Sequence, residues 1–371
     1  MNKNQLNLIF ITIDGARSDR VSKGKNFSNL INKSRFFSKV ITYAPFTIAA
    51  MHAVFSGTYG TKTGVDSYWS NIDFKKNEFK TLTKYLKDDG YLTHADIINK
   101  LILPSDGFDK FDIHDELHDD LTKKHLELLK KYSQMKKPFF LYLHYSNIHT
   151  GIMENVLKKY NNFSKTYFEN KEKNEIFYDK LFSSADEYLG KIISECENLG
   201  LDKNSLIVVI SDHGISVGEK FGERAYGVYC YDYTLITSAF FINYEFSAIK
   251  INKQVRSIDI LPTILEILKI PIDRKYKQFQ GESLTPYFNG DDSSRIAFSQ
   301  SGNPLESNKP PLKPNVWAIR TDQWKFIINI HNSTEELYNL TDDPLEENNL
   351  ILKEKTIGDE LRFKLKSIMN S

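Results

Sequence analysis

Ser205-Leu206-Ile207-Val208-Val209-Ile210-Ser211-Asp212-His213-Gly214 joins an apolar run to a carboxylate, an imidazole and a glycine. Apolar runs of strand length suit strands buried on both faces, as in a parallel sheet. A second run, Leu6-Asn7-Leu8-Ile9-Phe10-Ile11-Thr12-Ile13, ends in Asp14-Gly15. Open α/β sheets bind ligands beyond the carboxyl ends of their strands. Both runs therefore deliver a carboxylate to that edge, and the first adds an imidazole. Asp14, Asp212 and His213 form a mixed oxygen and nitrogen donor set suited to zinc or manganese.

A third stretch, Pro45-Phe46-Thr47-Ile48-Ala49-Ala50-Met51-His52-Ala53-Val54-Phe55-Ser56-Gly57, reads as a loop turning into a helix. Ile48, Met51 and Phe55 recur at helical spacing, so the helix has a buried face. Thr47 stands at its start, among free backbone N–H groups and the positive end of the helix dipole. Alone, Thr47 reads first as an N-cap. Beside Asp14, Asp212 and His213 it reads as a fourth metal ligand and a nucleophile, because a bound metal lowers a hydroxyl's pKa.

The 371 residues carry 49 Lys and Arg against 48 Asp and Glu, a formal net charge of +1. That balance points to neither nucleic acid nor a membrane surface. The two cysteines, Cys196 and Cys230, exclude a disulfide framework and favour a reducing compartment. The N-terminal apolar run is too short to span a membrane, so the expectation is a soluble, cytoplasmic protein. Cys196 falls on the apolar face of a long helix built on Tyr178, Phe182, Ala185, Leu189 and Ile192. Further strands are expected at Phe36 to Thr42, Tyr91 to Ile98, Phe139 to Tyr145 and Leu235 to Asn243. Helices are expected at Phe27 to Ile31, Thr81 to Asp88, Leu121 to Met135 and Val255 to Leu268. Residues 151–175 read as a polar surface excursion, a candidate lid. The fold expected is α/β: a mostly parallel sheet sandwiched by helices over residues 1–285, then a small α+β subdomain over 286–371. In that tail Val316 to Arg320 and Trp324 to Ile330 pair across Thr321-Asp322-Gln323, and Thr356 to Met369 closes the chain as a helix.

Along nearly its whole length the chain resembles the sulfatase family of the alkaline phosphatase superfamily. Asp14 with Arg17-Ser18-Asp19 is similar to the family's opening metal motif, and Thr47 through Ser56-Gly57 to its nucleophile helix. Gly90-Tyr91-Leu92-Thr93 with Gly107-Phe108, Phe139 to His149, and Ser211-Asp212-His213-Gly214 follow in the family's order. Arg256 to Thr263 resembles its late helix, and Leu337-Tyr338-Asn339-Leu340 with Asp343-Pro344 its C-terminal signature. The resemblance implies an alkaline phosphatase-like fold and a metal-dependent hydrolase of phosphoric, phosphonic or sulfuric esters.

The departures bear on mechanism. Sulfatases oxidise a Cys or Ser nucleophile to formylglycine, whereas Thr47 cannot become an aldehyde. Met51 replaces the family's Arg, Gly15 replaces part of the opening acidic pair, and Asn99 and Lys100 replace a Gly-Lys-Trp-His stretch. The pattern looks closer to relatives that use an unmodified Thr on phosphoric or phosphonic esters. One divalent ion is expected on Asp14, Thr47, Asp212 and His213, zinc or manganese favoured over calcium or magnesium. His149 faces the substrate in this reading, since Tyr226-Gly227 stands where two-metal relatives carry a late His. Arg17, Lys100 and His52 are candidate substrate-binding groups, and Arg224 a weaker one. His94, His114, His118, His125, His144 and His331 read as surface or structural. The substrate expected is a small-molecule, glycan or lipid-headgroup ester. Alternatives are a group transferase of the same fold or a noncatalytic ligand-binding relative.

Overall fold

A computed structural model describes residues 5–70, 73–304, 309–330 and 332–370. His331 lies outside the described residues. Nine strands make the main sheet: β1 (Asn7–Ile13), β2 (Arg35–Ile41), β3 (Leu92–Ile97), β4 (Lys110–Ile113), β5 (Phe139–Tyr145), β6 (Ser205–Ile210), β7 (Ile236–Ile242), β8 (Ile249–Ile251) and β9 (Val255–Arg256). Their order is β4-β3-β5-β1-β6-β7-β2-β8, with β9 also on β2. β4, β3, β5, β1 and β6 run parallel. β7 is antiparallel to both β6 and β2, so β2 points the same way as β6. The carboxyl ends of β1, β2, β5 and β6 therefore share one edge.

The apolar runs are strands because both faces of the sheet are covered. Ile9, Ile11, Ile207 and Val209 face one core with Tyr178, Phe182 and Leu189 of the Lys171–Asn198 helix. Leu8, Phe10, Leu206 and Val208 face the other, with Met51, Leu82, Leu86 and Ile264. Cys196 is buried in the first core, as its helical position implied.

β10 (Ala297–Ser301), β11 (Val316–Arg320), β12 (Trp324–Asn329) and β13 (Thr334–Asn339) form an antiparallel second sheet. The Thr47–Ser56 helix is wedged between the two sheets. Met51 and Phe55 enter the main core, while Ala49 and Ala53 pack with Phe298, Ile319 and Phe326. A helix apolar on all sides is a buried one, and nine of its ten residues are buried.

Two expectations are revised. Residues 151–175 are largely helical rather than a polar excursion: Ile152, Val156 and Tyr167 are buried in the main core, and the long helix begins at Lys171. Polar composition hid three widely spaced anchors. Val255 and Arg256 are strand, and the helix that follows starts at Ile260 after a short turn.

Candidate active site

Four strand ends build the site. Asp14 follows β1, Asp212 and His213 follow β6, His149 lies in the short Asn147–Ile152 helix beyond β5, and the chain after β2 leads to Thr47. Asp14, Asp212 and His213 each place a ligand atom within 4.8 Å of the others, and all three are buried. Thr47 is the first helical residue; Phe46 is the N-cap and no side chain caps this helix. The Thr47 hydroxyl instead donates to Asp14 Oδ2 at 3.3 Å and lies 3.4 Å from His213 Nε2.

The backbone fixes the polarity of each ligand. His213 Nδ1 donates to the Gly214 carbonyl at 2.9 Å, which leaves the Nε2 lone pair facing Asp14 Oδ1 at 3.7 Å and Asp212 Oδ2 at 3.5 Å. Asp212 Oδ1 accepts from the Gly15 and His213 amides at 3.1 and 2.9 Å. Asp14 Oδ1 and Asp212 Oδ2 have no hydrogen-bond partner although both are buried. Orphaned carboxylate oxygens in a buried site are costly, and two of them facing an imidazole lone pair fit a divalent cation. Burial tends to raise the Asp14 carboxyl, but His149, His144 and His213 outweigh it and hold the group below the ordinary carboxylate range. Burial, then the Asp14 charge, pushes Asp212 up. A cation between them relieves that conflict.

His149 sits at the rim, with Nδ1 at 3.8 Å from Asp14 Oδ2 and 3.3 Å from the Tyr226 hydroxyl. The Tyr226 ring covers His213 at 4.8 Å between centroids. The substrate-binding candidates fall elsewhere. Arg17 is buried but committed to Asp19, Glu219 and the Ile215 carbonyl. It lines a cleft of about 690 Å³ with Glu219, Lys220 and Glu346, and none of Asp14, Thr47, Asp212 and His213 borders that cleft. His52 is buried inside its helix, where Nδ1 donates to the Ile48 carbonyl at 2.8 Å and burial lowers its pKa to about 4. Lys100 is exposed, its ammonium 5.9 Å from the Phe111 ring centroid. Arg224 binds Asn162.

His144, expected to be a surface or structural histidine, reaches the site: its Nε2 donates to Asp14 Oδ2 at 3.1 Å and its Nδ1 lies 3.2 Å from the Tyr142 hydroxyl. Strand parity carried that signal. Tyr142 and His144 alternate onto one face of β5, and Thr12 stands opposite His144 in register.

The family model for sulfatases matches residues 7–270, and one for the C-terminal part of N-sulphoglucosamine sulphohydrolase matches 241–371. The chain belongs to the sulfatase family. Arylsulfatase K of Bos taurus is 27% identical over 200 residues, covering 52% of this chain and 36% of that protein. An ulvan-active sulfatase of Formosa agariphila is 27% identical over 191 residues, 49% of this chain and 36% of its own. The chain thus spans little more than a third of the curated sulfatases it matches. A putative sulfatase from Bacteroides thetaiotaomicron shares the fold at a TM-score of 0.79 and 18% identity, over 99% of this chain and 92% of that one. The phosphonate monoester hydrolase of Agrobacterium radiobacter does so at 0.77 and 14%, over 98% and 95%. Among the described residues, no helix is long and apolar enough to cross a membrane.

Proposed function

We propose that this chain is a metal-dependent hydrolase of phosphoric or phosphonic esters with Thr47 as its nucleophile. The observation that carries the reading is the Thr47 hydroxyl, turned from a capping role toward Asp14 and His213. Asp14, Asp212 and His213 would hold one divalent ion, zinc or manganese by its donor set, which when bound lowers the hydroxyl's pKa and stabilises charge on a nonbridging oxygen. Thr47 Oγ1 loses its proton to solvent and forms the bond to phosphorus, and the alcohol oxygen leaves with its electron pair. His149, at the rim beside Asp14 and Tyr226, would protonate that oxygen. Water then hydrolyses the Thr47 ester.

Threonine has no route to a formylglycine aldehyde, and buried Met51 supplies no cation where the family has Arg. Both points favour phosphorus over sulfur, although most named relatives are sulfatases. Substrates of small-molecule, glycan or lipid-headgroup type fit the reading, as does a cytoplasmic location for a chain whose two cysteines are unpaired and buried. The test is a parallel assay of nitrophenyl phosphate, a phosphodiester, a phenylphosphonate and nitrophenyl sulfate with added manganese or zinc. Turnover of phosphorus esters that falls at least 100-fold in Thr47→Ala supports the proposal. Hydrolysis of sulfate alone, or unchanged turnover in Thr47→Ala, overturns it.

A further inference from the structure

A second donor set lies two strands along the same sheet edge. Asp96 is on β3, His114 directly follows β4, and His125 is on the Leu121–Tyr132 helix. All three are buried, with one ligand atom from each within 4.8 Å of the others. His114 Nδ1 meets Asp96 Oδ1, and His125 Nε2 is 3.5 Å from that same oxygen. The 3.5 Å between His125 Nε2 and Asp96 Oδ1 suits two ligands of one tetrahedral ion whose bonds are about 2.0–2.1 Å, whereas His114 Nδ1 hydrogen-bonds Asp96 Oδ1 directly and must give up its proton and draw back to admit one.

The outward nitrogens are already engaged. His114 Nε2 lies 3.1 Å from Ser146 Oγ, and His125 Nδ1 lies 2.6 Å from the Tyr188 hydroxyl. Metal-binding imidazoles use their second nitrogen in this way, which fixes the ring and its tautomer. The inward His125 Nε2 has no hydrogen-bond partner, although its ring is fully buried. That orphaned nitrogen points to a ligand independently of the clustering itself.

We propose that Asp96, His114 and His125 form a structural site for one zinc-class divalent ion, held by Asp96 Oδ1, His114 Nδ1 and His125 Nε2. Two imidazoles and one carboxylate are a donor set for zinc rather than for calcium or magnesium. Lys124 Nζ binds the other carboxylate oxygen, Asp96 Oδ2, at 2.8 Å, which leaves Oδ1 to the ion. Its ammonium still opposes a nearby cation, so the site binds more weakly with Lys124 than without it. The ion would fasten the four-residue edge strand β4 to β3 and to the helix that covers them. This raises the expected metal count from one to two per chain.

The experiment uses the full chain carrying Asp14→Ala and Asp212→Ala, stripped of metal, so that the first site is silent. Zinc titration should load one ion per chain and raise the melting temperature. Cobalt should give the visible bands of a tetrahedral site with nitrogen ligands. Adding His125→Gln should abolish both signals, and adding Lys124→Met should tighten zinc binding several-fold. No zinc uptake by the Asp14/Asp212 variant overturns the proposal. So does a folded His125→Gln protein that binds zinc as before. Should His125→Gln fail to fold, unchanged zinc affinity in Lys124→Met overturns it instead.

Discussion

At the scale of single residues, Thr47 and its neighbours separate chemistry from stability. A capping Thr lost to Ala costs about 0.5–2 kcal/mol. Thr47 caps nothing here but donates one buried hydrogen bond to Asp14, so Thr47→Ala should cost no more than about 1 kcal/mol of stability. Denaturant titration checks this, and a loss above 1 kcal/mol would return Thr47 to a structural role. Thr47→Ser should keep measurable turnover, since the hydroxyl stays and the methyl restricts only its rotamer. Asp212→Ala removes the orphaned Oδ2 and should lower metal affinity at the Asp14 site by two orders of magnitude or more, read by competition with a chelating dye. A variant that keeps wild-type affinity there would remove Asp212 from the ligand set. The meeting of Asp14, Thr47, Asp212 and His213 at one sheet edge is legible in the sequence because each stands near a glycine or a helix start just beyond a strand. His144 was not, because its role depends on which face of β5 it occupies and on register with β1. The positions of Arg17 and Lys100 were equally hidden: sequence shows a cation but not the carboxylates or rings that claim it.

At the scale of elements, β1, β5 and β6 were legible as buried strands, since two covered faces leave an unbroken apolar signature. The short edge strands were not. β4 reads Lys-Phe-Asp-Ile and is half exposed, so neither alternation nor apolarity marks it. The loop after β6 carries a prediction of its own. Glu223 is buried and accepts from the Val228 and Tyr229 amides at 2.8 and 2.9 Å and from the Tyr233 hydroxyl at 2.7 Å. Burial nevertheless pushes its carboxyl from 4.5 up to about 7. A carboxyl raised on folding favours the protonated native state. Its contribution is complete below the unfolded value and is lost as pH rises through the folded one. The contribution of Glu223 to stability should therefore fall between pH 4.5 and 7 by an amount on the order of 3 kcal/mol. Glu223→Gln keeps two acceptor bonds and should flatten that slope. Identical pH profiles for the two proteins would show that Glu223 does not titrate in this window.

At the scale of the whole molecule, the two sheets are joined by apolar packing around the Thr47 helix and by one buried ionic cluster. Arg320 and Lys325 of the second sheet reach Asp232, which lies in the turn before β7. Lys325 also pairs with Glu346 at 2.8 Å, and Glu346 accepts from the Asp232 amide at 2.7 Å. Removing one member of such a buried network costs about 3–5 kcal/mol, because the partner is left charged without compensation. Lys325→Met should show that loss in a pH-dependent form. Burial already raises the Glu346 carboxyl to about 7, with Lys325 pulling it down and the Asp232 charge adding to the rise. Without Lys325 the carboxyl moves higher still and is protonated in the folded state at mildly acid pH. There the variant avoids a buried, unpaired charge. As pH rises the unfolded chain keeps Glu346 ionised while the fold must either hold its proton or bury the charge, so the penalty grows. The difference in melting temperature between wild type and Lys325→Met should be several degrees larger at pH 8.5 than near pH 5.5. Differential scanning calorimetry across that range decides the matter. A constant difference would mean that Lys325 acts through packing alone, and that Glu346 is held by its backbone bond and not by the ammonium.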